Sequence, residues 1–375
     1  MNERISDFLQ ERIDANDFPS AVYLVAEKGD ILFQDALGYA VVEPESIAAT
    51  LDTIYDLASL TKPLVTGLLT ASQIEAGSIG LETRLGDDHI VFNGSQAASL
   101  TVKELVTHTS GLPAWRPFYL LAKNASAKEI GRVIGEQRLA GRRNEVEYSD
   151  LNFISLSILI ENGRPDGEFD RWVAKELGLL RTAFNPISHG FDRREIAASE
   201  LGNGYERQTC IDQGFLAPES GKGGTPSPFR DHLIWGDVHD GNAYFMNGAA
   251  GHAGLFSTAE EVCKIALQFL PNHTRLLRHE TCELFRTNLT KGLSEDRSFG
   301  FQLASTKDST AGTKMSPESF GHNGFTGTSL WIDPVNDRIF VLLTNRTHNH
   351  PLPFVNINSV RRRFHDLAIE ELDGR

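Results

Sequence analysis

The strongest constraint on the fold is that strand-like segments lie at both ends of the chain. Apolar runs separated by turn residues indicate one β-hairpin over residues 21–36 and another over residues 328–344. Helical stripes of apolar residues flank them, at residues 2–15 and 357–372. Two hairpins so far apart predict one antiparallel sheet built from both termini, with helices covering its faces.

The middle of the chain is mainly helical in pattern, from residue 59 to about 160. Periodicity alone leaves residues 153–160 as either helix or buried strand, and we interpret them as helix because Tyr148, Ser149 and Asp150 offer capping side chains before them. Residues 184–248 are rich in Gly, Pro, Asn and Ser, which predicts a long loop of undetermined conformation.

These patterns predict an α+β fold with two interleaved parts. The first is a sheet subdomain of residues 1–57 and 253–375, flanked by helices, and the second is a mostly helical subdomain of residues 58–252 that includes the long loop. We expect the active site at their interface.

Composition narrows the range of partners. The chain has 375 residues, with 50 acidic and 36 basic side chains and a formal charge of −14, which repels nucleic-acid phosphates and anionic membranes. The first residues lack the pattern of a secretory signal, no run is long enough for a membrane span, and three cysteines fit reduced thiols. We therefore expect a cytoplasmic protein, and its oligomeric state stays open.

Residues 59–62 place a hydroxyl and an amine three positions apart at the start of a predicted buried helix. Positions i and i+3 share a helix face, so Ser59 and Lys62 can point into one cavity, and Pro63 is tolerated in a first helical turn. A serine becomes nucleophilic when a base such as a desolvated lysine takes its proton. The alternative is that Ser59 only caps a helix.

Three other stretches carry polar groups that could take part in chemistry. Tyr148 could relay a proton if it lies near Lys62, although residues 148–150 could equally be a loop and helix cap. Residues 321–328 form a glycine-rich entry into an apolar strand, which is either a simple turn or a place of close approach for a ligand. The remaining stretch contains three possible metal ligands without a tight ligand spacing, so we prefer a role in supporting loops and predict no metal: His239, Asp240 and His252.

In chain order, residues 59–62 (Ser-Leu-Thr-Lys), 148–150 (Tyr-Ser-Asp) and 322–324 (His-Asn-Gly) resemble the three motifs of the serine β-lactamase and penicillin-binding-protein superfamily. The resemblance is greatest to the class C β-lactamase branch, which includes esterases and D-peptidases. Further segments similar to that branch lie at residues 105–113, 250–258 and 325–334.

The resemblance implies a site. Ser59 would be the acylated nucleophile, Lys62 and Tyr148 would share the general base and acid work, and the backbone N–H groups of Ser59 and Phe325 would form the oxyanion hole. Phe325 is expected on the strand after the third motif. No metal or organic cofactor is implied. The expected substrate contacts are Asp150, His322, Asn323, Gly324 and, at the pocket rim, Trp115.

Two departures from the family pattern bear on the substrate. His322 stands where most β-lactamases have lysine, and Asn323 where they have threonine, so anchoring of a β-lactam carboxylate should be weaker because imidazole is mostly neutral at pH 7. Asp150 replaces asparagine and would stabilise a protonated Lys62. Asp150 would then shift proton abstraction to Tyr148, or favour substrates that present an N–H or a cation.

The sequence thus predicts a serine hydrolase for a small ester, amide or peptide, esterase-like or D-amino-acid peptidase-like. One alternative is a penicillin-recognising DD-carboxypeptidase or a β-lactamase. An alternative of another class is a binding or sensor protein that keeps the fold without turnover.

Overall fold

Two sheets organise the part of the chain that the computed structural model describes, which is residues 1–88, 90–140, 145–217 and 228–375. The larger has seven strands in the order β3-β2-β1-β10-β9-β8-β7, and the smaller has the order β4-β6-β5. The strands are β1 Ser20–Glu27, β2 Asp30–Val41, β3 Ile47–Ala48, β4 Tyr55–Asp56, β5 Ala183–Phe184, β6 Leu255–Ser257, β7 Gln302–Leu303, β8 Phe320–Asn323, β9 Ser329–Asp333 and β10 Arg338–Thr344.

The antiparallel sheet predicted from the two termini is confirmed. Strand β1 pairs with β10 along its length, from Ala21 opposite Thr344 to Glu27 opposite Arg338, so the two ends of the chain meet at the centre of the sheet. Alternate residues of β1 enter two different cores. Because both faces are covered, these central strands are apolar at nearly every position, unlike a strand with one face in water.

The helices cover both faces of this sheet. Helices α1 and α14 pack on each other and on one face, while α12 packs against β1 and β10 on the other. The helices are α1 Glu3–Asp14, α2 Leu68–Glu75, α3 Leu85–Asp88, α4 Val102–Val106, α5 Phe118–Leu121, α6 Ala127–Gly135, α7 Asp150–Glu161, α8 Asp166–Glu168, α9 Lys175–Leu177, α10 Gly204–Asp212, α11 Gly241–Phe245, α12 Ala259–Ala266, α13 His279–Arg286 and α14 Asn358–Asp373.

Two local predictions need correction. The predicted loop over residues 184–248 contains two helices, α10 and α11, and only part of it is loop; residues 218–227 of that stretch lie outside the described residues. Helix α10 was missed because few of its residues are apolar, so it has no hydrophobic stripe. Residues 153–160 are helical as predicted, but Ser149 does not cap α7 with its side chain.

The division into subdomains at residues 57/58 and 252/253 stays a prediction. Among the described residues, no helix is both long enough and apolar enough to cross a membrane.

One histidine on α14 is buried against the sheet. His365 is fully buried among Trp331, Phe340 and Phe364, and its Nδ1 donates to the carbonyl oxygen of Thr310 at 2.7 Å. Burial lowers the pKa of His365 to about 3. The folded protein therefore holds this ring neutral.

Replacing His365 with asparagine should make the protein less sensitive to acid. The unfolded chain takes up a proton on this residue near pH 6.5, whereas the folded protein does not until about pH 3. Stability is therefore lost as the pH falls below about 6.5, by about 2 kcal/mol between pH 7 and pH 5. H365N keeps a donor for Thr310 and should lose about 2 kcal/mol less of its free energy of unfolding over this interval than the wild type.

Urea denaturation at pH 7 and pH 5 measures this difference. The exposed His232→Asn variant serves as control, because its ring is largely in solvent in the folded protein. An H365N protein whose free energy of unfolding falls as steeply as that of the wild type would contradict the argument.

Candidate active site

The segment around Ser59 begins with a strained turn. Strand β4 ends at Asp56, a 3₁₀ turn spans Ala58–Leu60, and a π-helix spans Lys62–Gly67 before α2 begins. The single helix predicted to start at Ser59 is therefore wrong in detail. Ala58 adopts a left-handed φ of 48°, and its N–H donates to Asp56 Oδ1 at 2.8 Å. Such strain persists only where the surroundings hold it, and it lies directly before the serine.

Lys62 is fully buried and its ammonium group has three acceptors. Nζ lies 2.7 Å from Asp150 Oδ1, 2.8 Å from Ser59 Oγ and 3.2 Å from the carbonyl oxygen of His252. An ammonium has three N–H donors, so all of them are used. Burial acts to lower the pKa of Lys62, but the charge of Asp150, followed by the interaction with Tyr148, outweighs it and the pKa is raised. Lys62 is therefore a cation at neutral pH.

Tyr148 lies between this lysine and a buried histidine. Its ring centroid is 4.9 Å from Lys62 Nζ and 4.6 Å from the His108 ring. Burial raises the pKa of Tyr148, and Lys62 offsets part of that increase. At rest the phenol is protonated, so it can donate a proton but cannot yet accept one.

His108 and the residues after Tyr148 fix the position of the second motif. His108 Nδ1 accepts from the N–H of Ser149 at 3.1 Å and from Asn152 Nδ2 at 3.0 Å, which leaves the ring proton on Nε2. Ser149 Oγ donates to the carbonyl oxygen of Pro113 at 2.6 Å instead of capping α7. This bond ties residues 148–150 to the segment after His108.

The turn that follows the third motif, residues 322–324, contacts the backbone just before Ser59. Phe325 lies in the turn between β8 and β9 and not on a strand, which corrects the prediction. Thr326 Oγ1 donates to the carbonyl oxygen of Asp56 at 2.7 Å, and Thr328 Oγ1 to that of Leu57 at 3.0 Å. The turn is thus bonded to the backbone just before Ser59.

Gly324 is required by the closeness of these two segments. A Cβ at Gly324 would lie 2.0 Å from Thr328 Oγ1 and 2.6 Å from the carbonyl oxygen of Leu57. Among the described residues, the N–H groups of Ser59 and Phe325 have no hydrogen-bond acceptor. Both residues line the same cavity, so these N–H groups can donate hydrogen bonds to a substrate oxygen.

The side chains of His322 and Asn323 are both held within the protein. His322 Nδ1 donates to the carbonyl oxygen of Asn323 at 2.9 Å, and Asn323 Nδ2 donates to Thr310 Oγ1 at 2.9 Å. Burial, with the charges of Lys62 and Arg297, holds the pKa of His322 well below its ordinary value. His322 is therefore neutral and cannot replace the lysine cation of the family motif.

A cavity of about 540 Å³ opens over Ser59, a size typical of a small-molecule site. Trp115 lines it, as expected, and so do Tyr148, Asp150, His322, Asn323, Gly324 and Phe325. The structure thus brings the predicted site residues together, with Lys62 buried beneath Ser59.

Sequence reasoning missed a buried arginine in this cavity. Arg297 is only 5% exposed, and its guanidinium carbon lies 5.7 Å from the centroid of the Tyr148 ring. Its Nε and Nη2 contact Glu295 at 3.1 and 2.9 Å, while Nη1 has no hydrogen-bond partner among the described residues. No motif in the sequence marks Arg297, so only the fold identifies it as a cation beside the third motif.

The two histidines considered as metal ligands each contact a different carboxylate. His239 Nε2 contacts Glu200 at 2.8 Å, and His252 Nε2 contacts Asp240 at 2.9 Å. Ligand atoms of Asp150, Asp240 and His252 lie within 4.8 Å of one another, a grouping that could hold a cation. The Lys62 ammonium already contacts Asp150, so this group has a cation of its own.

Comparison with known proteins supports these observations. A family model described as "Beta-lactamase" matches residues 5–361. A protein of Escherichia coli (strain K12) named "Putative D-alanyl-D-alanine carboxypeptidase" is 29% identical, over 91% of this chain and 81% of the relative.

Two solved structures share the fold. EstCE1, described as a hydrolase with promiscuous acyltransferase activity, has a TM-score of 0.69 and 19% identity, covering 97% of both chains. The octameric penicillin-binding protein homologue from Pyrococcus abyssi has a TM-score of 0.72 and 17% identity, covering 98% of this chain and 77% of that one.

Replacing Asp150 with asparagine should move the pH dependence of ester cleavage to lower pH. The charge of Asp150 raises the pKa of Lys62, and its removal lets burial lower that pKa, so a neutral amine forms at lower pH. In the pH profile of kcat/KM for p-nitrophenyl acetate, the rising limb should shift by about 1–3 pH units towards acid.

The exposed Asp7→Asn variant is the control for the loss of one carboxylate, and its profile should match that of the wild type. A limb of Asp150→Asn that stays in place or moves towards alkaline pH would show that Asp150 does not set the charge of Lys62.

Proposed function

This chain belongs to the beta-lactamase family of serine hydrolases, and from that premise we propose that it cleaves a small amide or ester through an acyl-enzyme on Ser59. The contact of 2.8 Å between Ser59 Oγ and the buried Lys62 Nζ, at the floor of the cavity, carries the proposal. A nucleophile within hydrogen-bond reach of its base, with the base oriented by a third group, is the arrangement that covalent catalysis needs.

In the first step Ser59 Oγ attacks the substrate carbonyl carbon. Its proton has to leave, and because Lys62 is a cation at rest, the lysine must first give up a proton. Loss of that proton to solvent leaves a neutral amine, which can take the serine proton across the 2.8 Å contact. Asp150 Oδ1, 2.7 Å from Nζ, would stabilise the ammonium that forms in this way, whereas the asparagine of the family motif carries no charge to do so.

Collapse of the tetrahedral intermediate breaks the bond to the leaving group. The leaving amine or alkoxide needs a proton, and the protonated Tyr148 phenol is suited to give it. Water then attacks the acyl-enzyme by the reverse sequence of proton transfers, which releases the acid and restores Ser59. The unpaired N–H groups of Ser59 and Phe325 would stabilise the oxyanion, at about 3–4 kcal/mol per donor.

For the substrate we favour an amide or peptide whose leaving group carries a carboxylate, as in a D-amino-acid carboxypeptidase. Arg297 supports this choice. Its guanidinium is a permanent cation beside Tyr148, the proposed proton donor to the leaving group, and its unpaired Nη1 can donate to a carboxylate there. The name of the E. coli relative agrees with it. Esterase-like turnover of neutral substrates is the second candidate, favoured by the similarity of fold to EstCE1 and by the neutral His322.

Ser59 should form a covalent adduct whose mass identifies the acyl group. The protein would be mixed with p-nitrophenyl esters, D-alanyl peptides and benzylpenicillin, quenched in acid, and analysed by intact and peptide mass spectrometry. Wild-type protein should gain an acyl mass on the peptide containing Ser59, because the covalent intermediate is part of the cycle.

Ser59→Ala should gain no mass, while the control Ser72→Ala, on α2, should be acylated like the wild type. A stable penicillin adduct would favour the penicillin-recognising alternative. Absence of any adduct, including with a fluorophosphonate across a range of pH, would overturn the proposal and favour a binding or sensor protein.

Replacing Arg297 with glutamine should lower kcat/KM only for substrates whose leaving group carries a carboxylate. A charge-assisted hydrogen bond contributes about 1.5–3 kcal/mol, so kcat/KM for N-acetyl-D-alanyl-D-alanine should fall about 10- to 100-fold. Product release gives kcat/KM for this dipeptide and for its methyl ester. The ratio of the two kcat/KM values is then compared between the variant and the wild type.

The exposed Arg171→Gln variant should keep the wild-type ratio. An Arg297→Gln variant with an unchanged ratio would show that Arg297 does not contact the carboxylate.

A further inference from the structure

One wall of the cavity is acidic and plays no part in the steps above. Glu206 on α10 and Asp240, just before α11, both line the cavity. Both residues come from the stretch that the sequence presented as a loop, where no motif identified Glu206 and Asp240 was considered only as a metal ligand or a support for loops. They lie on a different segment of the chain from Arg297, which follows α13.

The Glu206 side chain is held in place but incompletely satisfied. Glu206 is only 7% exposed, and its Oε1 accepts from the N–H of Gly241 at 2.6 Å. Its Oε2 is buried and has no hydrogen-bond partner among the described residues. The Tyr119 hydroxyl lies beside Glu206 and acts to lower the pKa of Glu206, and it also contacts Cys210 Sγ at 3.5 Å. A buried carboxylate oxygen without a donor is costly unless a ligand supplies one.

Asp240 adds a negative charge to this wall. Its Oδ1 accepts from the N–H of Ala243 at 2.7 Å and from His252 Nε2 at 2.9 Å. Although burial acts to raise it, the interaction with His252 holds the pKa of Asp240 below its ordinary value. Burial, followed by repulsion from Asp240, raises the pKa of Glu206 to about 7. The two carboxylates therefore repel each other when both are charged, and a cation between them would relieve that repulsion.

The neighbouring cation does not fulfil this role. Arg230 is attracted to Glu206, yet its guanidinium donors go to Asn203 Oδ1 and to the carbonyl oxygens of Val238 and His239, at 2.6–2.7 Å. Arg230 is also absent from the cavity wall. Arg230 thus leaves Glu206 Oε2 without an N–H donor, and a ligand in the cavity can supply one.

We propose that Glu206 and Asp240 form a subsite that binds a protonated amine on the acyl half of the substrate. The assignment of the acyl half rests on the proposed function, in which Tyr148 and Arg297 hold the leaving group, so that the acidic residues from other segments are left for the acyl group. A primary ammonium suits the site because its three N–H donors can reach Glu206 Oε2 and Asp240 together. The natural substrate is then a zwitterion, with a carboxylate on one side of the scissile bond and an ammonium on the other.

Binding to the Ser59→Ala protein tests the subsite without requiring turnover. Calorimetry would compare D-alanyl-D-alanine with isobutyryl-D-alanine, in which a methyl group replaces the ammonium and the carboxylate is kept. We expect the cationic ligand to bind about tenfold more tightly, as one charge-assisted contact allows. An N-acetyl-D-lysyl and N-acetyl-D-norleucyl pair, each joined to D-alanine, extends the test to a longer side chain.

The same comparison in Ser59→Ala/Glu206→Gln should abolish the preference, while Ser59→Ala/Glu176→Gln, changed at an exposed site on α9, should keep it. The proposal is overturned if the charged and neutral members of both pairs bind with equal affinity. It is also overturned if the preference for the charged ligand survives the loss of Glu206.

The comparison in the Ser59→Ala protein does not depend on whether the Glu206 variant folds. Failure of the proposed function is distinguishable as well, because it appears as absent acylation of Ser59 by neutral and charged substrates alike.

Discussion

The site depends on keeping a lysine charged in the interior. Lys62 has no exposed surface, and a buried cation is tolerated only when it is paired and all of its N–H groups are bonded. Its three acceptors come from three separate segments: Ser59 from its own turn, Asp150 from the start of α7, and the His252 carbonyl from the loop before β6. Those segments cannot separate without leaving an unpaired charge in the core. The Lys62 ammonium therefore holds Ser59, Asp150 and the loop that contains His252 together.

A second set of bonds holds the oxyanion side of the site. Asp56 accepts from the N–H of Ala58 and, through its other oxygen, from the N–H of His239, while its own carbonyl accepts from Thr326. The strained turn before Ser59 is therefore held by the loop that carries Asp240 and by the turn that carries Phe325. Preorganised groups of this kind stabilise developing charge without having to reorient during the reaction.

The sequence predicted the elements of the site better than the electrostatics around them. The sheet, the two terminal helices and the pairing of Ser59 with Lys62 followed from periodicity and spacing, because apolar faces and short spacings are local properties. The place of Tyr148 beside them was implied only by the resemblance to the family. Arg297 and Glu206 could not be predicted, since their roles arise from contacts between distant segments. His252 and Asp240 were identified as supports for loops, but the contact between them was not predicted. The 3₁₀ and π-helical turns around Ser59 were also hidden, because they result from tertiary bonds through Asp56, Thr326 and Thr328.

The pairing of β1 with β10 has a consequence for how the protein is made. The first hairpin leaves the ribosome well before its partner strand β10, since the paired residues Glu27 and Arg338 are 311 positions apart in the sequence. Until then the apolar edge of β1 is unpaired, and long-range pairings of this kind form slowly and leave partly folded chains open to aggregation. Premature termination anywhere before β10 would therefore remove the centre of the sheet and not merely its edge, so such fragments should be targets for chaperones and proteases.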